Sequence, residues 1–428
     1  MRFIMYSSSN SSINYTKVFL VLSTLFFMWG LITVLNIALI DELRDVFKLS
    51  YEESLSVNLA LYSTYFVVGY PAGLIIDRVG FRKGIIIGSG LASLGCFLFY
   101  PAAGSHSFYK LILALFVLGA GFTFLQVASN PYVSLLGMRG KGAAKLSFVQ
   151  AFNSMGAFLA PILAGGLFLS IAGIKADSFA VMSPEELMHH KILFVQVPYL
   201  LFGSIWFLLM LIVLLSELPK INMQEQQPLI RNNEVSPRKY IIQYPQVMNG
   251  ALTLFLYVGA EVSLAYYMSM KSDVLISYYW GLALLGRFIG AGLLFVATSP
   301  RKLMKFSGSM AIFLLVLYLI VNNDDAYILL SEDYDPALFL LVFVGLCNSI
   351  VWPTVFTMGI DGMGKYSVKS SSVLVMSVFG GAVVPFIFIN LLTEYSLMSA
   401  FPILIIAYAF LIWFGSKGSI YEKKSNFY

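Results

Sequence analysis

Residues 217–240 read ELPKINMQEQQPLIRNNEVSPRKY, a polar, proline-broken stretch in a 428-residue chain that is 59% hydrophobic and only 11% charged. A soluble fold with so few polar residues would lack the surface to cover itself, so lipid is the expected solvent. Outward from this stretch, six apolar runs precede it, near 17–40, 54–76, 84–102, 109–136, 144–171 and 192–216. Six follow it, near 246–270, 274–298, 303–321, 336–360, 370–393 and 400–416. Each is close to the roughly 20 residues that an α-helix needs to cross a bilayer core. The expected fold is an all-α membrane protein of twelve transmembrane helices in two pseudo-symmetric six-helix halves. Its parts are an N-terminal tail (1–16), an N-terminal half (17–216), a cytoplasmic linker (217–240), a C-terminal half (241–416) and a C-terminal tail (417–428).

Charge sets the orientation. With the amino terminus inside, the inner segments hold Arg2, Lys17, Arg78, Arg82, Lys83, Arg139, Lys141, Lys145, Lys220, Arg231, Arg238, Lys239, Arg301, Lys302, Lys305, Lys365, Lys369, Lys417, Lys423 and Lys424. The outer side holds only Arg44, Lys48, Lys110, Lys175, Lys191 and Lys271. This bias places both termini in the cytoplasm of a multi-pass inner-membrane protein. The basic residues are scattered through short loops rather than gathered on a face, so the net charge of +5 is no nucleic-acid footprint. The two cysteines, Cys96 and Cys347, both lie in apolar runs and offer neither a disulfide framework nor a metal-ligand spacing. Residues 1–16 lack the apolar core and cleavage site of a signal peptide, so the first run reads as a retained helix.

An internal repeat supports two parallel halves. NPYVSLLG (130–137) recurs as WPTVFTMG (352–359) with Pro131 and Gly137 matched by Pro353 and Gly359, and Gly156 and Pro161 recur as Gly380 and Pro385. In the loop 172–191, SPEEL (183–187) predicts a short external helix capped by Ser183 with Pro184 at its first position.

Polar residues inside the spans pair at helical spacing: Trp29, Thr33 and Asn36; Gln126 and Asn130; Gln150 and Asn153; Tyr257 and Glu261; Asn348 and Trp352. Amides both donate and accept, as sugar hydroxyls do, and an indole stacks on the C–H face of a sugar ring, so these residues are candidate lining for one substrate cavity. The plainer alternative for each amide is an interhelical hydrogen bond worth about 0.6 kcal/mol, and for each indole ordinary packing. Of the 22 acidic residues, only Glu261 falls deep in a span, and Arg287 is the matching deep base. A charge there is costly, so Glu261 is a candidate for ion coupling or substrate binding, with Arg287 as candidate partner in a static pair as the alternative. His106, His189 and His190 are expected in external loops, which excludes a histidine relay.

The segment Gly73-Leu-Ile-Ile-Asp77-Arg78-Val-Gly80-Phe-Arg82-Lys83 resembles the signature between helices two and three of the major facilitator superfamily. The resemblance implies a gating loop in which Gly73 and Gly80 permit close contact and Asp77, Arg78 and Arg82 supply ionic partners for neighbouring helices. Loop charge that only sets topology is the alternative. The strings FFMWGLITVLN (26–36), FLQVASNPYVSLLG (124–137), FVQAFNSMGAFLAP (148–161), YVGAEVS (257–263) and GRFIG (286–290) are similar to the fucose permease and glucose/galactose transporter family. That implies a monosaccharide bound midway between the halves, carried with a proton or, in some members, sodium, and no other cofactor. Amino sugars are also carried in the family. This chain departs from the fucose branch, with Ile37 in place of an Asp and Gln126 in place of a Glu; the Gln and the Glu261 string match the glucose/galactose branch and favour a hexose. Asp41, one turn beyond Ile37, is the weaker candidate substitute for the missing acid.

Other classes find little support. There is no HExxH, GxSxG, P-loop or paired intramembrane carboxylates, so no enzyme is expected, and no pore ring suggests a channel. A transporter-like nutrient sensor would be expected to add a signalling tail, whereas about fifteen residues follow Trp413. The expected function is a monomeric, ion-coupled hexose symporter. A uniporter, an amino-sugar or fucose permease, and a drug or amphiphile exporter of the same fold are the transport alternatives.

Overall fold

A computed structural model of the chain describes residues 15–137, 140–163, 183–219, 221, 240–296, 298–322 and 336–419. The helices are α1 (Tyr15–Ala38), α2 (Ile40–Phe47), α3 (Tyr51–Val79), α4 (Phe81–Gly104), α5 (Phe108–Leu135), α6 (Gly142–Ile162) and α7 (Pro184–Leu215). They continue as α8 (Pro245–Ser269), α9 (Asp273–Val296), α10 (Pro300–Val321), α11 (Leu338–Asn348), α12 (Val351–Ile360), α13 (Ser367–Met376), α14 (Gly380–Glu394) and α15 (Leu397–Trp413). Among the described residues every regular element is helical, and eleven segments are long and apolar enough to cross a bilayer. Helix α6 is not among these eleven; it covers the first part of the fifth expected span, 144–171, of which residues 164–171 lie outside the described residues. A helix satisfies its own backbone polar groups except at its ends and breaks, which suits it to lipid.

Two expectations are corrected. Ser183 does cap a helix: its hydroxyl accepts from the Glu186 N–H, the Glu186 carboxylate accepts from the Ser183 N–H, and Pro184 takes the first position. That helix is not a separate external one, however. It runs on without interruption as α7 for 32 residues, about 48 Å at 1.5 Å per residue, so His189 and His190 lie on a helix rather than in a loop. The tenth and eleventh spans, expected to be continuous, are each interrupted. The tenth breaks at residues 349–350 between α11 and α12, because Pro353 has no N–H for the Ser349 carbonyl four residues before it. The eleventh carries a 3-10 turn, Ser377–Phe379, between α13 and α14.

The chain forms two compact units. One comprises Met1–Val133 with Val149–Lys220, and the other Ser134–Phe148 with Ile221–Tyr428. The part of the repeat that involves Gly156 and Gly380 performs the same task in each. A Cβ at Gly156 would collide with the Phe27 carbonyl of α1, and a Cβ at Gly380 with the Phe255 carbonyl of α8. In both cases glycine lets two helix backbones touch. The other matched positions diverge: Pro131 sits within an unbroken α5 whereas Pro353 follows a break, and Gly137 adopts φ 73° whereas Gly359 is helical.

Basic residues of the loops close helix ends. Gly80, at φ 87°, turns the chain from α3 directly into α4. Two residues later, at the start of α4, Arg82 donates to the carbonyls of Val213 (3.4 Å) and Leu214 (2.7 Å) at the C-terminal end of α7. In the second unit, Lys141 Nζ does the same for the carbonyls of Leu294 (3.3 Å) and Phe295 (2.7 Å) in the last turn of α9. A cation at a helix C-terminus satisfies orphan carbonyls and opposes the helix dipole. On the opposite side of the first unit, Lys191 on α7 pairs with Asp45 on α2, and His106 Nδ1 lies 2.7 Å from the Val46 carbonyl.

Candidate functional site

In the first unit Asn36, Gln126, Asn130 and Gln150 are buried and Trp29, Thr33 and Asn153 half-buried, and most are tied to named neighbours. Asn36 donates to the Ile32 carbonyl (2.9 Å) and accepts from the Tyr199 hydroxyl of α7 (2.5 Å), whose ring stacks on Phe99 at 3.7 Å and 5°. Asn153 donates to the Phe26 carbonyl across the α1–α6 contact (3.1 Å). Gln150 Nε2 lies 3.5 Å from Asn130 Oδ1. The Tyr65 hydroxyl of α3 has the Trp29 and Gln126 side chains as hydrogen-bonding neighbours. Gln126 Oε1 is buried with no hydrogen-bond partner among the described residues. The Trp29 ring lies against Phe26 (5.6 Å) and Phe122 (6.4 Å). Asp41 is the second residue of α2; its side chain lies outside the described residues.

In the second unit the break in the tenth span is the centre of a buried polar network. The Tyr257 hydroxyl of α8 lies 2.8 Å from Glu261 Oε1 and 2.9 Å from the Asn348 main-chain carbonyl. The Asn348 side chain donates to the Tyr279 hydroxyl of α9 (2.7 Å) and accepts from the Tyr408 hydroxyl of α15 (2.8 Å). Tyr279 Oη is in turn 3.5 Å from the Glu261 main-chain carbonyl. Arg287 Nε donates to the Ser349 carbonyl (3.1 Å), the carbonyl that Pro353 leaves without its helical donor, and the Arg287 charge acts on Glu261 through space. Glu261 is 8% exposed, Arg287 5% and Asn348 0%. Trp352 lies beyond the break from Asn348 and stacks on Phe356 at 5.0 Å and 11°.

Comparison with known proteins places this architecture. The profile of the Major Facilitator Superfamily matches residues 18–385. The chain belongs to the major facilitator superfamily. It is 34% identical to a glucose/galactose transporter of Brucella abortus, over 97% of each chain. It is 28% identical to the L-fucose-proton symporter of Escherichia coli, over 88% of this chain and 87% of that one. The crystal structure of the E. coli fucose:proton symporter superposes with a TM-score of 0.78 at 25% identity, covering 96% of this chain and 100% of that chain. As a facilitator-superfamily member it is a multi-pass membrane protein, and these relatives are transporters.

Sequence reading found the acid, the base and the amides of this facilitator-superfamily chain but missed the tyrosines that organise them. Tyr65, Tyr199, Tyr279 and Tyr408 are four of 25 tyrosines, and nothing in their spacing separates them from packing aromatics. Tyr408 had the best available signal, since it stands in an otherwise apolar run from Phe401 to Trp413.

Proposed function

We propose that this protein carries a hexose, glucose or galactose, across the cytoplasmic membrane by alternating access, in symport with an ion. The observation that carries the reading is the concentration of amides, hydroxyls and one acid in buried, otherwise apolar helices of a chain 34% identical to a named glucose/galactose transporter. A sugar needs donors and acceptors from its site and an aromatic face for its ring. Trp29, Asn36, Gln126, Asn130, Gln150, Asn153, Tyr257, Asn348 and Trp352 supply them in this reading. Glu261 is the ion-coupling group, with Arg287 as its counter-charge and Asp41 as a lesser candidate. Gly73, Asp77 and Arg78 at the end of α3, Gly80 between the helices and Arg82 at the start of α4 act as the cytoplasmic gate, on helix ends rather than in the expected loop. The cationic bias puts both termini in the cytoplasm, and one chain is the transporting unit.

The experiment is counterflow in vesicles containing the purified protein. Vesicles loaded with unlabelled glucose or galactose are expected to take up labelled hexose transiently above equilibrium. If glucose, galactose, mannose, fucose and N-acetylglucosamine all failed to exchange, the sugar assignment would be wrong.

A further inference from the structure

The Tyr257 hydroxyl has two short oxygen neighbours, Glu261 Oε1 at 2.8 Å and the Asn348 carbonyl at 2.9 Å. Both are lengths of single, direct O–H···O bonds, yet a phenol has one hydrogen to give. The Asn348 carbonyl has none, so its bond takes the phenol's hydrogen, and the hydrogen in the other contact comes from the carboxyl. We infer that Glu261 is a protonated carboxylic acid in this state, donating to Tyr257, and that Tyr257 relays the bond to the broken turn of the tenth span.

The rest of the network agrees in direction. Asn348 Nδ2 donates to Tyr279, Tyr279 points on to the Glu261 main-chain carbonyl, and Tyr408 donates to Asn348 Oδ1. Each hydroxyl donates once and the amide uses both of its ends, which closes a ring from Glu261 through Tyr257, Asn348 and Tyr279 back to residue 261. When the proton leaves Glu261 for water, the new carboxylate takes the Tyr257 hydrogen and attracts Arg287. The Asn348 carbonyl then loses the donor that Tyr257 gave it at the break. Proton release is thereby tied to the one place where the tenth span is already interrupted, and broken helices are where transporters bind and move ions.

The titratable and charged groups bearing on this ring are Tyr257 on the same helix, Tyr279 and Arg287 on α9, and Tyr408 on α15 with Cys347 of α11 near it. Helix α12 has no titratable residue, and Lys369 of α13 and Glu394 of α14 stand near the ends of their helices.

This inference rests on the ion-coupled reading above for its use in transport, and it names the ion as a proton. Infrared spectra of the full chain in lipid vesicles near pH 7 test it without any sugar. The expected result is a carbonyl stretch of a protonated carboxylic acid that shifts on deuterium exchange, moves when the protein is made with carboxyl-13C glutamate, and is missing from Glu261→Gln. Tyr257 bonds the acid but gives a stronger, charge-assisted bond to the carboxylate, so in Tyr257→Phe the band should persist with about tenfold fewer protons, the worth of that difference. Carboxylate stretches alone at neutral pH in the labelled wild type would overturn the inference even if hexose were transported. A protonated band in a protein that exchanged no hexose would overturn only the substrate assignment.

Discussion

Vesicles carrying Glu261→Gln should exchange labelled hexose at close to the wild-type rate yet fail to concentrate it against a gradient. A glutamine amide donates to the Tyr257 hydroxyl as the carboxylic acid does, so the bonds from Tyr257 to the Asn348 carbonyl and from Asn348 to Tyr279 and Tyr408 can all persist. What the substitution removes is the ability to lose and regain a proton. Exchange needs only the loaded carrier to reorient, whereas accumulation needs the ion to move with the sugar. Uptake driven by an imposed pH gradient is the measurement, with counterflow in the same vesicles as the control. A Gln variant that still concentrated hexose would remove Glu261 from the coupling path. A wild type that exchanged without ever concentrating would make the chain a uniporter, with Ile37 standing where the fucose branch has its acid.

Asn348→Ala is expected to be the most damaging single change in the second unit. Asn348 is fully buried and serves two tyrosines at once, donating to Tyr279 and accepting from Tyr408. Truncation leaves the Tyr408 hydroxyl without its acceptor, at a cost of about 1–3 kcal/mol for a stranded buried group. It also takes the donor from Tyr279, which keeps only its contact with the Glu261 carbonyl, so the loss is large against the marginal stability of most folds. Tyr408→Phe breaks only one of the bonds and should cost closer to the 0.6 kcal/mol or so that is average for polar contacts in membrane helices. Thermal unfolding of the detergent-purified variants, with counterflow on the same samples, distinguishes them. The alanine variant should show a clearly lower midpoint and little exchange, and the phenylalanine variant a small shift. Equal midpoints for the two would mean that Asn348 is not the hub of the network.

The fold was largely legible because hydropathy over twenty-residue windows is a strong signal and lipid leaves helices few alternatives. Ser183 and Pro184 announced a helix start that the structure keeps. What hydropathy misses is where an apolar run stops being a helix. The run 336–360 is apolar apart from Asn348, Ser349, Thr354 and Thr357, and only Pro353, four residues after Ser349, marked the break; the same proline motif at Pro131 leaves α5 intact, so the motif alone does not decide. The length of α7 escaped for the opposite reason, since the capped segment and the sixth span follow one another without any helix-breaking residue strong enough to part them; even Pro198 is accommodated inside the helix.

At the site, the i, i+4 spacing of Tyr257 and Glu261 correctly indicated a shared face, and the structure joins them at 2.8 Å. The same spacing misled for Asn348 and Trp352, which the break separates, and it offered no view of partners on other helices. Asn36 illustrates this. Its helical neighbours gave no sign that its side-chain oxygen accepts from Tyr199, 163 positions away in sequence. Such pairings are tertiary, set by which helices pack together, and no local pattern encodes them.

The central claim is that hexose and a proton travel together, and sugar-evoked acidification tests it most directly. Vesicles containing the purified protein and an internal pH dye, at equal pH inside and out, are given glucose or galactose from outside. The account predicts that the lumen acidifies in the wild type and stays unchanged in Glu261→Gln. Hexose uptake into the wild type with no acidification of the lumen would contradict it.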